Sequence, residues 1–229
     1  MAPDASELPE RRSLQREVLI ASVGILAFLG ALKHASVLPV VGQHAFAVAA
    51  AGQLYVPLFL IGRRGIDRAS LGLDLRDWKR DLVFALLLGI ATIAPFAVGH
   101  HVWQTGLFHR HFAPRLPDDL ALLVLTQVLA VALPEELFFR GYLQRRMELI
   151  WPASRRIFGA PFGRAILSAS AVFALAHFVG EYRVDRLGPF FPALLFGLLR
   201  TRTNGILAPV AYHAFCNILS DILWASYRS

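Results

Sequence analysis

The chain has 229 residues, of which 56% are hydrophobic and 17% are charged, whereas a soluble protein has about 25% charged residues. A mean hydropathy of +0.52 excludes a disordered chain, and a single cysteine excludes an internal disulfide. The net charge of +7 would suggest a nucleic-acid partner in a soluble protein, but these basic residues lie in short loops between apolar segments, so we expect none. The composition indicates a membrane protein held together by helix packing.

Seven apolar segments follow one another along the chain. Each is compatible with a membrane-spanning helix, which needs about 20 residues and fewer where partner helices cover its ends. The predicted fold is therefore an all-α polytopic membrane bundle of about seven transmembrane helices. The segments are 18–40, 45–61, 82–102, 120–139, 165–180, 187–199 and 205–224.

The connections between these segments differ in charge. If residues 1–17 are cytoplasmic, 16 of the 23 basic residues fall on the cytoplasmic side, and the positive-inside rule therefore favours this orientation. The arginine-rich composition favours a prokaryotic inner membrane. Within the first basic loop, residues 70–81 alternate apolar and charged positions, which predicts either an interfacial helix or a solvated loop.

The fourth segment carries ionisable residues at a depth where they are costly. Glu136 and Arg140 are four residues apart and therefore share a helical face, on which they can form an ion pair. Glu135 points about 100° away and has no local cation. Pro134 cannot donate a backbone hydrogen bond, so we expect a kink that opens space beside Glu135.

Two further segments carry polar groups. His177 lies on the fifth segment, and His213 and Asn217 lie one turn apart on the seventh, where they share one face. Counted at about 1.5 Å per residue, Glu135, His177 and His213 reach similar depths in the half of the membrane near the basic loops. A shared site is therefore predicted.

These motifs resemble those of the CAAX protease and bacteriocin-processing (CPBP) family, the glutamic intramembrane proteases of Rce1-like type. The EExxxR motif corresponds to Glu135, Glu136 and Arg140. The FxxxH motif corresponds to Phe173 and His177, and the HxxxN motif to His213 and Asn217. The resemblance implies a four-helix catalytic core at 119–225. The apolar segments and the distribution of basic residues predict the rest, namely a cytoplasmic segment at 1–17 and further transmembrane helices with a cytoplasmic basic loop at 18–118.

The resemblance also implies a chemistry. Glu135 would be the general base that activates a water molecule, with His177 holding the same water. His213 and Asn217 would donate hydrogen bonds to the oxyanion, and Glu136 and Arg140 would support the site. The expected activity is endopeptidase cleavage of a membrane-associated peptide or protein, without a cofactor. The substrate and the oligomeric state stay open.

Other functions use the same residues. Two carboxylates and two histidines are also compatible with a divalent metal ion and a metal-dependent membrane protease. Cys216 could be read as a thiol nucleophile, although a buried cysteine is more often packing. A non-catalytic immunity or scaffold protein would keep the fold without cleavage. A proton-coupled transporter would also use buried Glu and His, but the chain lacks paired repeats.

Overall fold

Seven helices build the protein in a computed structural model that describes residues 8–228; positions 1–7 of the predicted N-terminal segment lie outside this range. The fourth helix is composite, with α-helical and π-helical stretches in alternation. The bounds are α1 Leu8–Ala35, α2 Pro39–Arg63, α3 Trp78–Gly106, α4 Leu120–Ile150, α5 Arg164–Glu181, α6 Phe190–Thr203 and α7 Leu207–Ala225.

The surface of the bundle is suited to lipid. The first five helices are long and apolar enough to cross a membrane, and α3 exposes Leu86, Leu87 and Ile90 along its length. An exposed apolar belt of this extent would be a liability in water. α6 has only 14 residues, because Pro189 precedes it and Asn204 ends it in the left-handed conformation. The predicted all-α polytopic bundle is confirmed, and the chain is a multi-pass membrane protein.

Several boundaries differ from the prediction, since α2 begins at Pro39 rather than at 45 and α4 continues to Ile150 rather than ending at 139. α1 begins ten residues before position 18, because its first turns carry charged residues that hydropathy alone discounts. Of the two alternatives for residues 70–81, the structure has a loop rather than an interfacial helix. Arg68–Leu71 is a 3₁₀ turn, and α3 begins at Trp78. Gly72 separates them at a φ of +77°, close against Gly205, which is a conformation and a spacing that favour glycine.

Contacts between connections define two faces of the bundle. On the first, which we call the basic face, Ile206 N donates to Gly72 O at 2.9 Å and Thr201 Oγ1 donates to Pro161 O at 2.9 Å. This face also carries the hairpin of β2 and β3. On the opposite face, the α3–α4 connection pairs through β1 with β4 at the C-terminal end. The strands are β1 His111–Phe112, β2 Arg155–Ile157, β3 Ala160–Phe162 and β4 Tyr227–Arg228.

α4 departs from regular helix on both sides of Pro134. Its turns widen to π-helix over Thr126–Ala132 and again over Leu137–Gln144. At the end of the first stretch the N–H of Leu133 donates to Val128 O, five residues back instead of four. The regular hydrogen-bond pattern of the α-helix is therefore already interrupted where Pro134 lacks an N–H donor. The predicted disturbance at Pro134 thus takes the form of two π-helical stretches around the acidic pair.

Gly141 allows α4 to pack closely on the basic-face loop. A Cβ at this position would lie 2.8 Å from Leu71 O, a backbone atom that cannot swing away. We expect Gly141→Ala to destabilise the protein by about 1–3 kcal/mol through overpacking, measured as thermal unfolding in detergent. Gly99→Ala is the matched control, because a Cβ there meets nothing within 4 Å. Equal stability of Gly141→Ala and Gly99→Ala would contradict the close approach.

Candidate active site

A buried ion pair lies at the centre of the bundle. Glu136 Oε1 is 3.0 Å from Arg140 Nη1, and the two side chains are 0% and 1% exposed. The guanidinium lies over two aromatic rings, 4.3 Å from the centroid of Phe173 and 5.0 Å from that of Phe196. Charges this deep need compensation from each other and from polarisable neighbours. The predicted pairing of these two residues is present.

His213 connects this ion pair to the second carboxylate. Its Nδ1–H donates to Glu136 Oε1 at 2.8 Å, and its Nε2 is 3.8 Å from Glu135 Oε2. The ring is 3% exposed and stacks on Phe196, with centroids 4.6 Å apart and an interplanar angle of 17°. Because one nitrogen is committed to Glu136, the other faces Glu135 in a fixed orientation.

Glu135 reaches a cavity of about 340 Å³ that is also lined by His177. Glu135 Oε2 is buried and has no hydrogen-bond partner within residues 8–228. A buried carboxylate oxygen of this kind requires a proton, a water or a substrate group to satisfy it. The cavity is large enough for a short peptide segment, and its other walls come from α1 and α2 as well as from the predicted core.

His177 has a fixed tautomer. Its Nδ1 is 3.0 Å from the carbonyl oxygen of Phe173, and because a carbonyl only accepts, Nδ1 carries the proton. Nε2 of the neutral ring is therefore left as an acceptor. Phe173 also packs against the ring, with centroids 4.5 Å apart. The FxxxH spacing thus orients the imidazole through both a backbone oxygen and an aromatic contact.

Asn217 has a different neighbourhood. Its Nδ2 donates to Gln127 Oε1 at 2.9 Å, and Gln127 Nε2 donates in turn to Asp221 Oδ2 at 2.9 Å. Asn217 and Cys216 both line a second cavity of about 600 Å³ between α3, α6 and α7. One N–H of the carboxamide is used by Gln127 and the other is free to donate, since an amide nitrogen carries two.

The structure therefore brings together Glu135, Glu136, Arg140 and His213 by direct contact, and adds His177 through the shared cavity. Asn217 is one turn from His213 but makes its own contacts with α4. Three contributors were missed from the sequence. Gln127 is the one amide in the predicted segment 120–139 and gave a weak signal. Phe196 and the walls from α1 and α2 gave none, because aromatic and aliphatic residues are common in every segment.

The cavity extends away from the basic face. It extends from Glu135 to Lys33 and Ser36 at the end of α1, and to Glu181 and Arg186 at the end of α5. These helix ends lie on the face opposite the basic one, where His34 Nε2 contacts the Tyr182 hydroxyl at 3.0 Å. The cavity reaches that face because α5 ends only four residues beyond His177.

A family model matches the part of the chain that contains the site residues. Residues 117–219 match the family model of the Rce1-like type II CAAX prenyl endopeptidases. This segment belongs to the CPBP/CAAX protease family. It includes the acidic pair, both histidines and Asn217, so the Rce1-like match covers every residue of the predicted site. No curated protein and no solved structure matches the chain.

The Rce1-like segment begins just before α4 and ends within α7. The family match agrees with an apolar bundle that buries ionisable groups. Helices α1, α2 and α3 precede the match, yet α1 and α2 line the cavity at Glu135. About half of the residues that line the cavity therefore lie outside the matched segment.

Proposed function

We propose that the chain is a glutamic intramembrane endopeptidase that hydrolyses a peptide bond in a membrane-associated peptide or protein. The observation that carries the proposal is that Glu135, whose buried Oε2 has no hydrogen-bond partner within residues 8–228, lines one cavity together with His177, whose Nε2 is left as an acceptor. These are two proton acceptors beside a space that a peptide can enter. The family match supports the choice of peptide hydrolysis over other uses of the same groups.

The reaction follows from the positions of these groups. Glu135 takes a proton from a water molecule, and His177 Nε2 accepts its second hydrogen bond, so the water oxygen attacks the peptide carbonyl carbon. The proton on Glu135 then passes to the leaving nitrogen as the C–N bond breaks. Glu135 thus acts first as base and then as acid, and no covalent acyl-enzyme forms.

The oxyanion of the tetrahedral intermediate needs hydrogen-bond donors. His213, when it carries a proton on both nitrogens, donates through Nδ1 to Glu136 and through Nε2 to the oxyanion. Asn217 supplies its second N–H from the same helix. Glu136 and Arg140 hold His213 in orientation and do not contact the substrate. A single preorganised donor of this kind contributes about 10²–10³ in rate.

The function is tested by comparing membrane peptidomes of cells that produce the native chain or Glu135→Gln. We expect at least one membrane protein to be shortened only in cells with the native chain. A non-catalytic scaffold or immunity protein would give two identical peptidomes and the same cellular phenotype. That result would overturn the proposal in favour of the second function.

Gln127 is proposed as a positioning residue for Asn217. We expect Gln127→Leu to lower kcat on the order of tenfold with KM nearly unchanged, because it frees the carboxamide to rotate away from the oxyanion. Asn217→Ala should lower kcat further, since it removes the donor itself. A purely structural role for Gln127 would instead reduce the yield of folded protein and leave the kcat of the remainder at the native value.

The position of the cavity bears on where the substrate approaches. The basic face carries most of the arginines, so it is proposed to be cytoplasmic, with the N-terminus on that side of a prokaryotic inner membrane. The cavity extends to the other face, at Ser36 and Glu181. The scissile bond would accordingly enter from the extracytoplasmic side.

Thiol labelling tests this orientation. In a Cys216→Ala background, which has no cysteine, we expect Ser36→Cys to react with a membrane-impermeant maleimide in intact cells. Ser154→Cys, at the exposed start of the basic-face hairpin, should react only after the membrane is opened. The reverse pattern would place the cavity on the cytoplasmic side.

The reaction is proposed to need no cofactor. Within residues 8–228, no group of three or more His, Cys, Asp or Glu side chains is arranged as a metal site. Activity should therefore survive a strong chelator. Loss of cleavage on chelation, with recovery on adding a divalent ion, would favour the metal-dependent alternative.

A further inference from the structure

A separate cavity lies on the basic face, away from the proposed active site. It measures about 270 Å³ and is lined by the end of α4, the β2–β3 hairpin and the last turn of α6. Its polar lining consists of Arg145, Glu148, Arg200, Thr201 and Asn204. The volume far exceeds the roughly 30 Å³ of one water molecule, so a polyatomic group can occupy it.

Arg200 is the unusual member of this lining. It is only 2% exposed, and no Asp or Glu oxygen within residues 8–228 forms an ion pair with it. Its Nη1 donates to Asn204 Oδ1 at 3.2 Å and its Nη2 to Ser70 O at 3.3 Å, which leaves Nε–H without a partner. A buried guanidinium without an ion-paired carboxylate is unfavourable unless a further ligand supplies the counter-charge.

The carboxylate in the lining does not fill this role. Glu148 accepts a hydrogen bond from Gln144 at 2.9 Å and is 3.5 Å from Arg145 Nη1. Its charge is therefore matched by Arg145, and the cavity retains one net positive charge from Arg200. Arg145 remains 42% exposed at the rim, where it can reach a ligand without losing Glu148.

We propose that this cavity binds a phosphate group, with Arg200 as its buried anchor and Arg145 at its mouth. Guanidinium groups bind phosphate oxygens through paired N–H donors, and Thr201 and Asn204 add polar atoms around them. The phosphate can belong to the headgroup of an anionic phospholipid or to free inorganic phosphate. Trp151 in the wall suits a site at the membrane boundary, where indole rings are enriched.

The test uses the purified full chain in a non-ionic detergent. Thermal unfolding is measured with phosphatidylglycerol, with phosphatidylcholine and, separately, with inorganic phosphate against chloride at equal ionic strength. The variants are Arg200→Gln and Arg145→Gln, and the control is Arg156→Gln. Arg156 is exposed on the same face, and among residues 8–228 it donates a hydrogen bond only to Gly159 O in its own hairpin turn. Each of the three variants removes one positive charge.

We expect phosphatidylglycerol to raise the unfolding temperature of the native chain and of Arg156→Gln more than phosphatidylcholine does. Arg145→Gln and Arg200→Gln should raise the half-saturating concentration of the lipid about tenfold, which is the effect of losing one charge-assisted hydrogen bond. Stabilisation by inorganic phosphate but not by phosphatidylglycerol, with the same variant pattern, would assign the site to a soluble anion. If Arg200→Gln does not fold, the comparison of Arg145→Gln with Arg156→Gln alone tests the proposal. A response of Arg145→Gln equal to that of Arg156→Gln, or no response of the native chain to either ligand, would overturn the proposal.

Discussion

Replacing Glu135 by glutamine should lower peptide cleavage on the order of 10³-fold while leaving the bundle folded. The amide keeps the size of the carboxylate but cannot accept a proton from water, and general-base catalysis contributes about 10²–10⁴ in rate. Glu135 is not part of the buried ion pair, which is formed by Glu136 and Arg140. Stability should therefore change little, and kcat should carry the whole loss. Cleavage of a defined membrane peptide by purified protein measures it.

The matched control for this variant is Glu181→Gln. Glu181 lines the same cavity but pairs with Arg186 at the end of α5, away from His213. We expect Glu181→Gln to keep most of the native kcat. His177→Ala should resemble Glu135→Gln, because it removes the second acceptor for the water. Equal losses in Glu181→Gln and Glu135→Gln would mean that cavity charge alone, and not proton transfer, determines the rate.

The largest effect on stability is expected from Arg140→Met. Methionine fills much of the space between Phe173 and Phe196, but it leaves the fully buried Glu136 without its cation. Breaking such a pair by removing one partner costs about 3–5 kcal/mol. The measurement is the shift in thermal or denaturant unfolding in detergent, with Arg76→Gln as a control at an arginine that is 89% exposed.

The double variant Arg140→Met with Glu136→Gln separates charge from packing. Once the carboxylate is neutral, the missing cation matters less, so we expect the double variant to recover part of the lost stability. Its activity should stay low, because His213 loses the carboxylate that orients its ring. Additive losses in the two single changes would show that the residues act independently and would contradict the ion pair.

The sequence predicts the number and order of the helices well. Long apolar runs with charged ends determine α3 and α5 within a few residues, because hydropathy reflects the cost of exposing polar groups to lipid. It leaves residues 70–81 open between a helix and a loop, because the 3₁₀ turn and Gly72 follow from packing against Gly205 in a distant loop. The π-helical stretches of α4 are likewise invisible to a helical periodicity.

The contacts within the site also fall into those that the sequence predicts and those that it does not. The spacing of four residues correctly predicts the contact between Glu136 and Arg140, since it depends on one helix alone. The contact of His213 with both carboxylates depends on how α7 meets α4, which no local pattern encodes. The partner of Asn217 is a further example. Gln127 lies 90 residues away in sequence, and its amide was one polar group among many in the chain.

The attack of water at Glu135 is tested most directly by a single turnover in H₂¹⁸O with enzyme in excess of a membrane peptide. Every new C-terminus from the native chain should carry one ¹⁸O atom, and Glu135→Gln should yield almost no product in the same time. Product that lacks ¹⁸O would indicate a covalent intermediate on a protein carboxylate. Native-rate cleavage by Glu135→Gln would likewise contradict a role for this carboxylate as the base.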